Sequence, residues 1–296
     1  MSLPAGVTVA LATPLTETGE LDQDALDRLL QRVLAAGVIG ISPLGSTGEG
    51  SRLSRPVRMR MIEAVRSRIP ADIPVIAGVP VVSAQDAPAD LAEAADRGAS
   101  AALVAPPTYY PAGDDDVERL YTGLADASPI PIVIYNIPVF TKISVSPAVL
   151  ARIAQHPKIA GIKDSSRDLE YLQAVIYAVE GAEFDVLTGS DTMLLASLLL
   201  GAHGTIAASA NLVPQLSVAL YNAVQKGDLD QARTIQRDLY RIVQAARVGT
   251  APSGWKAALE IAGVCSARLV PPANRLPEPL FSALRKNLAE LLPDGA

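Results

Sequence analysis

The sequence predicts a closed barrel of eight parallel strands, each followed by a helix, with a helical tail beyond it. Three observations lead there. Short β-branched or apolar runs alternate with longer helical patterns through most of the 296 residues, a rhythm that marks parallel strands joined by crossover helices. The alternation repeats eight times, which fits a (β/α)8 TIM barrel better than the open doubly wound sheet that the same repeat can also build. Strand signals then cease after Lys226-Gly227-Asp228, dividing the chain into a catalytic barrel over 1–226 and a C-terminal α-helical appendage over 227–296.

In chain order, the apolar run 7–12 is the first strand and 24–36 the first helix, which should stop at Gly37 because glycine accepts the left-handed backbone of a helix end. Strand two, 39–43, leads to a helix over 56–68, with Ser54 as N-cap and Pro56 in the first turn. Strand three, 75–79, precedes the helix 86–97, closed by Gly98. The helix 115–127 separates strands at 101–105 and 132–136, and Asp114, Asp115 and Asp116 at its start complement the helix dipole. Helix 147–155, strand 159–163, helix 169–179, strand 186–188, helix 191–200, strand 203–207 and helix 214–226 complete the repeat. In the tail, Ala232, Ile235, Leu239, Ile242 and Val243 fall at helical spacing. Further helices are read at 255–262 and 278–292, with a proline-rich segment over 270–277 between them and Trp255 as an anchor. Stability and subunit contact are the expected uses of this tail.

Composition narrows the class. Hydrophobic residues make up 49% and charged residues 19%, while the apolar stretches break well before the roughly 20 residues needed to cross a bilayer. A soluble protein with a large core is expected. The opening Met1-Ser2-Leu3-Pro4 carries no secretory pattern, so the cytoplasm is the expected location. One cysteine, Cys265, excludes an internal disulfide or a thiolate metal cluster. A net charge of −6 argues against a nucleic-acid surface, and Arg52, Arg55, Arg58 and Arg60 read as the solvated entrance of a helix. His156 reads as a surface turn and His203 as a structural histidine. With two histidines and no paired helical spacing, no zinc site is expected, although carboxylate-bound Mg2+ stays open.

In such a barrel the loops after the strands converge on one mouth, so reactive groups are sought at strand ends. Strand two ends in Pro43-Leu44-Gly45-Ser46-Thr47-Gly48-Glu49-Gly50, where tight glycine turns, hydroxyls and backbone N–H groups suit a carboxylate or phosphate, or form a plain turn. Strand five ends in Ile134-Tyr135-Asn136-Ile137-Pro138, whose phenol can move protons or pack. Lys163 closes the apolar run Ile159-Ala160-Gly161-Ile162; it is either an amine nucleophile or a lysine snorkelling to water. Strand seven ends in Thr188-Gly189-Ser190-Asp191. A desolvated amine loses its proton more readily, and the neutral form attacks a ketone to give an imine, which then acts as an electron sink. An anion site for a 2-oxo acid and a hydroxyl for proton shuttling are the other requirements, and these strand ends offer both.

Gly45-Ser46-Thr47-Gly48-Glu49, Tyr135-Asn136-Ile137-Pro138 and Gly161-Ile162-Lys163-Asp164, in that order and spacing, resemble the signature of the dihydrodipicolinate synthase and N-acetylneuraminate lyase family. The likeness runs from about Thr8 to the C-terminal helices. It implies a class I pyruvate-dependent aldolase or lyase that needs no cofactor, with an imine at Lys163, proton transfer by Tyr135 with Thr47 in the same relay, and the pyruvate carboxylate on Ser46 and Thr47. It also implies that Gly189 and Ile206 line the pocket through their backbone and that Tyr109, beside Tyr110, reaches the proton relay of a neighbouring subunit in a homotetramer built as a dimer of dimers. The resemblance further divides specificities. Synthases acting on aspartate semialdehyde carry an arginine where this chain has Phe140, with Lys142 nearby as a partial substitute; neuraminate lyases carry a glutamate where it has Thr192 and a serine where it has Ala208. The expected substrates are therefore pyruvate and an aldehyde related to 2-oxo-3-deoxy sugar acids, with Ser165, Ser190, Asp191 and Thr192 bonding hydroxyls. The alternatives are 4-hydroxy-tetrahydrodipicolinate synthase, an imine-dependent dehydratase, and a non-catalytic 2-oxo acid sensor. Neither nucleic acid nor membrane is an expected partner.

Overall fold

The computed structural model describes residues 3–292. Its strands are β1 (Val7–Ala10), β2 (Gly40–Ser42), β3 (Ile76–Gly78), β4 (Ala101–Val104), β5 (Ile132–Asn136), β6 (Ile159–Asp164), β7 (Asp185–Thr188) and β8 (Gly204–Ala207). Neighbouring strands pair in parallel in the order β2-β1-β8-β7-β6-β5-β4-β3. A parallel bridge between Ile41 and Val75 joins the two ends of that order, reinforced by Gly78 N donating to Pro43 O at 2.8 Å. The sheet is thus a closed barrel, and the open alternative is excluded. Closure removes the exposed strand edges that an open sheet would have to cover.

Around the barrel run α1 (Gln23–Ala35), α2 (Arg55–Arg66), α3 (Ala87–Asp96), α4 (Asp114–Ala127), α5 (Pro138–Thr141), α6 (Pro147–Ile153), α7 (Leu169–Ala178), α8 (Leu194–Leu199) and α9 (Pro214–Gln225). The tail comprises α10 (Leu229–Ala246), α11 (Ser253–Ile261) and α12 (Glu278–Leu291). Gly37 and Gly98 close their helices with φ of 83° and 97°, a region glycine enters without strain. Three local expectations need correction. The region 191–200 is a 3-10 turn, Asp191–Met193, followed by α8; the turn keeps Asp191 buried at the barrel mouth. Ser54 occupies the N-cap of α2 but makes no side-chain capping bond, whereas Asp22, Ser146, Asp168 and Asp228 cap their helices in full. The short α5 was not signalled, because four residues are too few to show a helical period. The arginines at the start of α2 are occupied within the chain: Arg55 bridges Asp90 and Glu93, and Arg60 meets Glu20.

Two apolar layers result. The barrel interior is filled by Ala10, Ile76, Ala101, Leu103, Val133, Ala160, Leu187 and Ile206, with Leu3 beneath and Tyr135 toward the mouth. Between strands and helices lies a larger core that also takes in Leu239, Ile242, Val243, Leu284 and Leu288 of the tail. The tail is therefore packed into the same core as the helices of the barrel.

At the mouth one polar interaction joins the two parts. The side chain of Lys256, on α11, is fully buried. Its Nζ donates to Thr13 O and Arg268 O and lies 3.2 Å from Glu49 Oε1. That ion pair is not aligned as a hydrogen bond, since Glu49 Oε1 has no hydrogen-bond partner; Glu49 Oε2 accepts from Val270 N at 2.9 Å. Burial pulls the Lys256 amine below its ordinary pKa, opposed by the charge of Glu49. Removing Lys256 leaves the buried Glu49 carboxylate with the more distant Arg52 Nη1, 3.8 Å away, to offset its charge. We expect Lys256→Met to lose roughly 3–5 kcal/mol in chemical denaturation, and Glu49→Gln with Lys256→Met together to lose less than Lys256→Met alone.

Candidate active site

The direction of Lys163 is set by an irregularity in β6. Ile132 pairs with Ile159, but Val133 pairs with Gly161, so Ala160 is an extra residue and the register shifts between them. Strict alternation from the outward Ile159 would turn Lys163 outward as well. The bulge resets the phase, so Lys163 pairs with Tyr135 and both face the mouth. Gly161 makes the close approach of β7 possible: a Cβ there would lie 2.2 Å from Asp185 O. Bulges of this kind commonly redirect a side chain beside a functional site.

Lys163 is 3% exposed, and its Nζ sits 4.3 Å from the centre of the Tyr135 ring. It makes no hydrogen bond or ion pair among the described residues. The two buried lysines differ in this respect. Lys256 is held by a carboxylate and two carbonyls, whereas the Lys163 amine lies against an aromatic face. The Tyr135 hydroxyl is 3.1 Å from Ser46 Oγ, so the phenol is coupled to the β2 loop through Ser46 and not through Thr47.

One cavity of about 120 Å3 contains Ser46, Thr47, Tyr135, Phe140, Lys163, Ser165, Gly189, Asp191 and Ile206 among its lining residues. Most of the sequence-predicted site residues are thus brought together, but Tyr109 is not among them. Tyr109 is 86% exposed, with its ring edge on Tyr110, and does not line the cavity. Thr192 does not line it either, while Ser190 and Ala208 do. Phe140 is half exposed on α5, and Lys142 just beyond it donates its Nζ to Val139 O at 2.9 Å. A larger chamber of about 310 Å3, lined in part by Leu44, Val79, Val81, Leu103 and Pro106, adjoins this cavity at Tyr135 and Phe140.

Neighbouring residues fix these positions. Asn136 and Asp164, the next pair in register, join through Asn136 Nδ2 donating to Asp164 Oδ1 at 2.8 Å, while Asn136 Oδ1 accepts from Val145 N at 3.0 Å. Ser166 donates to Asp164 through its backbone and hydroxyl. Burial raises the Asp164 carboxyl above its ordinary range, with the Asn136 and Ser166 bonds opposing the shift. Asp191 Oδ1 accepts from Ser209 N at 3.2 Å and Oγ at 2.6 Å. Burial raises this carboxyl too, against the Ser209 bonds and the positive charges of Arg247 and Lys163. In the β2 loop, Leu44 and Glu49 adopt φ of 64° and 56°, and Thr13 Oγ1 donates to Gly48 O at 2.7 Å.

Four residues escaped the sequence reading. Arg167 and Arg247 line the cavity, as does Trp255, whose sequence context points first to anchoring the tail and only second to ligand stacking. Lys256 holds the mouth. Arg167 lies four residues beyond Lys163 in the loop already under suspicion, so the strand-end rule could have reached it. Arg247, at the end of α10, carries no local signal, because only the packing of the tail brings it to the barrel.

A buried amine against a phenol and beside a hydroxyl loop fits a class I lyase, an enzyme that works through a lysine imine. The chain belongs to the Dihydrodipicolinate synthetase family, whose family model matches residues 3–291, and it is a pyruvate-dependent class I aldolase or lyase. It is 35% identical to a 4-hydroxy-tetrahydrodipicolinate synthase of Haloarcula marismortui, covering 97% of this chain and 93% of that one. Identity to the synthase of Methanopyrus kandleri is 34%, over 98% of each chain. Among solved structures, a dihydrodipicolinate synthase from Bacteroides thetaiotaomicron superposes with a TM-score of 0.92 at 34% identity, covering 98% of this chain and 100% of the other. YagE, a prophage protein of the same family from E. coli K12 solved in complex with pyruvate, gives 0.93 at 31%, covering 98% and 99%. Among the described residues no helix is long and apolar enough to cross a membrane, and no group of three or more His, Cys, Asp or Glu side chains could hold a metal ion.

Gly189 supplies a test of the lysine's placement. A Cβ at this position would lie 2.1 Å from Ser165 Oγ and 2.8 Å from Lys163 Cε, both in side chains able to move. We expect Gly189→Ala to keep its fold by circular dichroism while covalent modification by a 2-oxo acid slows at least about tenfold, since small misplacements of a reacting group are costly.

Proposed function

We propose that the chain makes or cleaves a carbon-carbon bond between pyruvate and an aldehyde through an imine at Lys163, without a metal or other cofactor. The single observation that carries this reading is the amine of Lys163, buried without an ionic or hydrogen-bonding partner among the described residues and in register with Tyr135. The β2 loop, with Ser46 and Thr47 in the cavity wall, holds the pyruvate carboxylate. Nζ then attacks C2. The C2 oxygen departs as water, and the protonated imine makes a C3 proton removable. The resulting enamine attacks the aldehyde carbon while the aldehyde oxygen gains a proton, and hydrolysis of the imine returns the amine. Tyr135, coupled to Ser46 at 3.1 Å, moves protons in these steps.

Ser165, Ser190 and Asp191 suit the hydroxyl groups of a 2-oxo-3-deoxy sugar acid or its aldehyde fragment. Condensation with aspartate semialdehyde is the second reading, supported by the names of the relatives; the half-exposed Phe140 weighs against it, because an uncharged ring cannot replace a bidentate guanidinium. Under either reading Tyr109 completes the site of a second copy of the chain within a homotetramer, in keeping with its exposure beside Tyr110. The cytoplasm is the proposed location.

Borohydride reduction in the presence of pyruvate, followed by intact mass and peptide mapping, should place one adduct on Lys163. No adduct, or one that survives in Lys163→Ala, contradicts the imine. Tyr135→Phe should still form the adduct but lose roughly 10²-fold or more in turnover. Coupled turnover of aspartate semialdehyde decides between the two substrate readings, efficient reaction favouring the synthase. Dilution to monomers should abolish turnover while leaving imine formation largely intact if Tyr109 acts across subunits.

A further inference from the structure

Four charged side chains line the cavity that contains Lys163: Lys163 itself, Arg167, Arg247 and Asp191. Three are cationic and one is a carboxyl. Once pyruvate is bound, its carboxylate balances the charge of the protonated imine. Two guanidinium groups then face one carboxyl, whose Oδ1 is already engaged by Ser209 N and Oγ. Neither arginine side chain makes a hydrogen bond or an ion pair among the described residues, although most arginines elsewhere in the chain do, including Arg28, Arg32, Arg55, Arg58, Arg60 and Arg66.

The placement of both residues is specific. Arg167 sits in the loop after β6 with φ of 63°, a left-handed backbone that non-glycine residues seldom adopt and that glycine would enter freely. Arg247 is delivered from the tail at the end of α10, half buried, and the two meet at the same opening. Burial, and next the charge of Arg167, lower the pKa of Arg247, while Asp191 acts in the opposite direction. Both side chains line one cavity, Arg167 exposed and Arg247 half buried, and an anion between them would offset their like charges while meeting donors that no protein group engages among the described residues. A guanidinium pair of this kind matches the oxygens of a carboxylate or phosphate through charge-assisted hydrogen bonds.

We propose that Arg167 and Arg247 form a second anion subsite, which selects aldehydes and 2-oxo acids carrying a carboxylate or phosphate at the end remote from the imine. This assignment rests on the imine reading above and adds the substrate class: an acidic acceptor, with the β2 loop holding one anionic end and the arginine pair the other. Arg167 and Arg247 determine specificity and take no part in bond making.

The test compares chain-matched ligands on the intact protein. Borohydride trapping is titrated with 2-oxoadipate, which has a distal carboxylate, and with 2-oxohexanoate, which lacks it. The wild-type protein should be half-trapped at a concentration at least about tenfold lower for the dicarboxylate, the effect expected of one charge-assisted pair. The ratio between the two ligands should fall below about threefold in Arg167→Gly and in Arg247→Ala. Because the ratio is the readout, a general loss of folding or of lysine reactivity cancels, and Arg167→Gly also removes the backbone constraint. A phosphate is read separately, by turnover of pyruvate with glyceraldehyde 3-phosphate against glyceraldehyde. An advantage confined to that pair and lost in both variants assigns the subsite to phosphate; an advantage confined to the oxo acids assigns it to carboxylate. Equal values in both pairs, or an advantage that survives in both variants, overturns the subsite. A wild-type protein that forms no adduct even with pyruvate fails earlier, at the imine itself.

Discussion

The buried ammonium of Lys256 is the constraint on which the mouth of the barrel depends. Its partners come from three distant segments: the carbonyls of Thr13 beyond β1 and Arg268 in the tail accept its hydrogen bonds, and the carboxylate of Glu49 in the β2 loop lies 3.2 Å away as an ion pair. The charge is expensive to bury, so each partner must stay in place to offset the lost hydration. Holding Glu49 also holds Ser46 and Thr47 three and two residues earlier, the hydroxyls offered to a substrate anion. Holding α11 holds Trp255 in the cavity wall and fixes the tail that delivers Arg247. The tail is consequently part of the site, and a barrel without it would lack one wall and one cation.

The same economy of charge separates the two buried lysines. Lys256 spends its donors on fixed oxygens and carries a structural charge. Lys163 meets no fixed acceptor among the described residues and lies against the Tyr135 face, leaving its nitrogen open to an incoming carbonyl. A hydrophobicity pattern cannot distinguish these lysines, because both sit in apolar surroundings; the difference lies in which oxygens the fold brings near.

What could be read beforehand followed from local pattern. The eight strands and the main helices were legible because apolar period and turn residues act within a few positions of sequence, and Lys163, Tyr135, Ser46 and Thr47 were legible because each ends a strand that the barrel turns toward one mouth. The β6 bulge was not. From sequence, Ile159 and Lys163 fall on one face; only pairing with β5 shows that Ala160 is an extra residue and that the phase reverses. Arg247 and Lys256 were hidden for a related reason, since their roles arise from tail packing across more than 80 residues of sequence from Lys163. Ser54 shows the opposite failure: a favourable capping residue at the right position whose side chain does not make the bond.

The central claim is that Lys163 is the covalent anchor of pyruvate, with the β2 loop as its carboxylate site. A crystal structure of the protein grown with pyruvate tests it most directly. The account predicts continuous density from Lys163 Nζ to C2 of the ligand, with the carboxylate against Ser46 and Thr47 and the methyl group open toward Tyr135. Pyruvate bound without a bond to Lys163 at saturating concentration, or bound covalently with its carboxylate on the arginine pair, would contradict it.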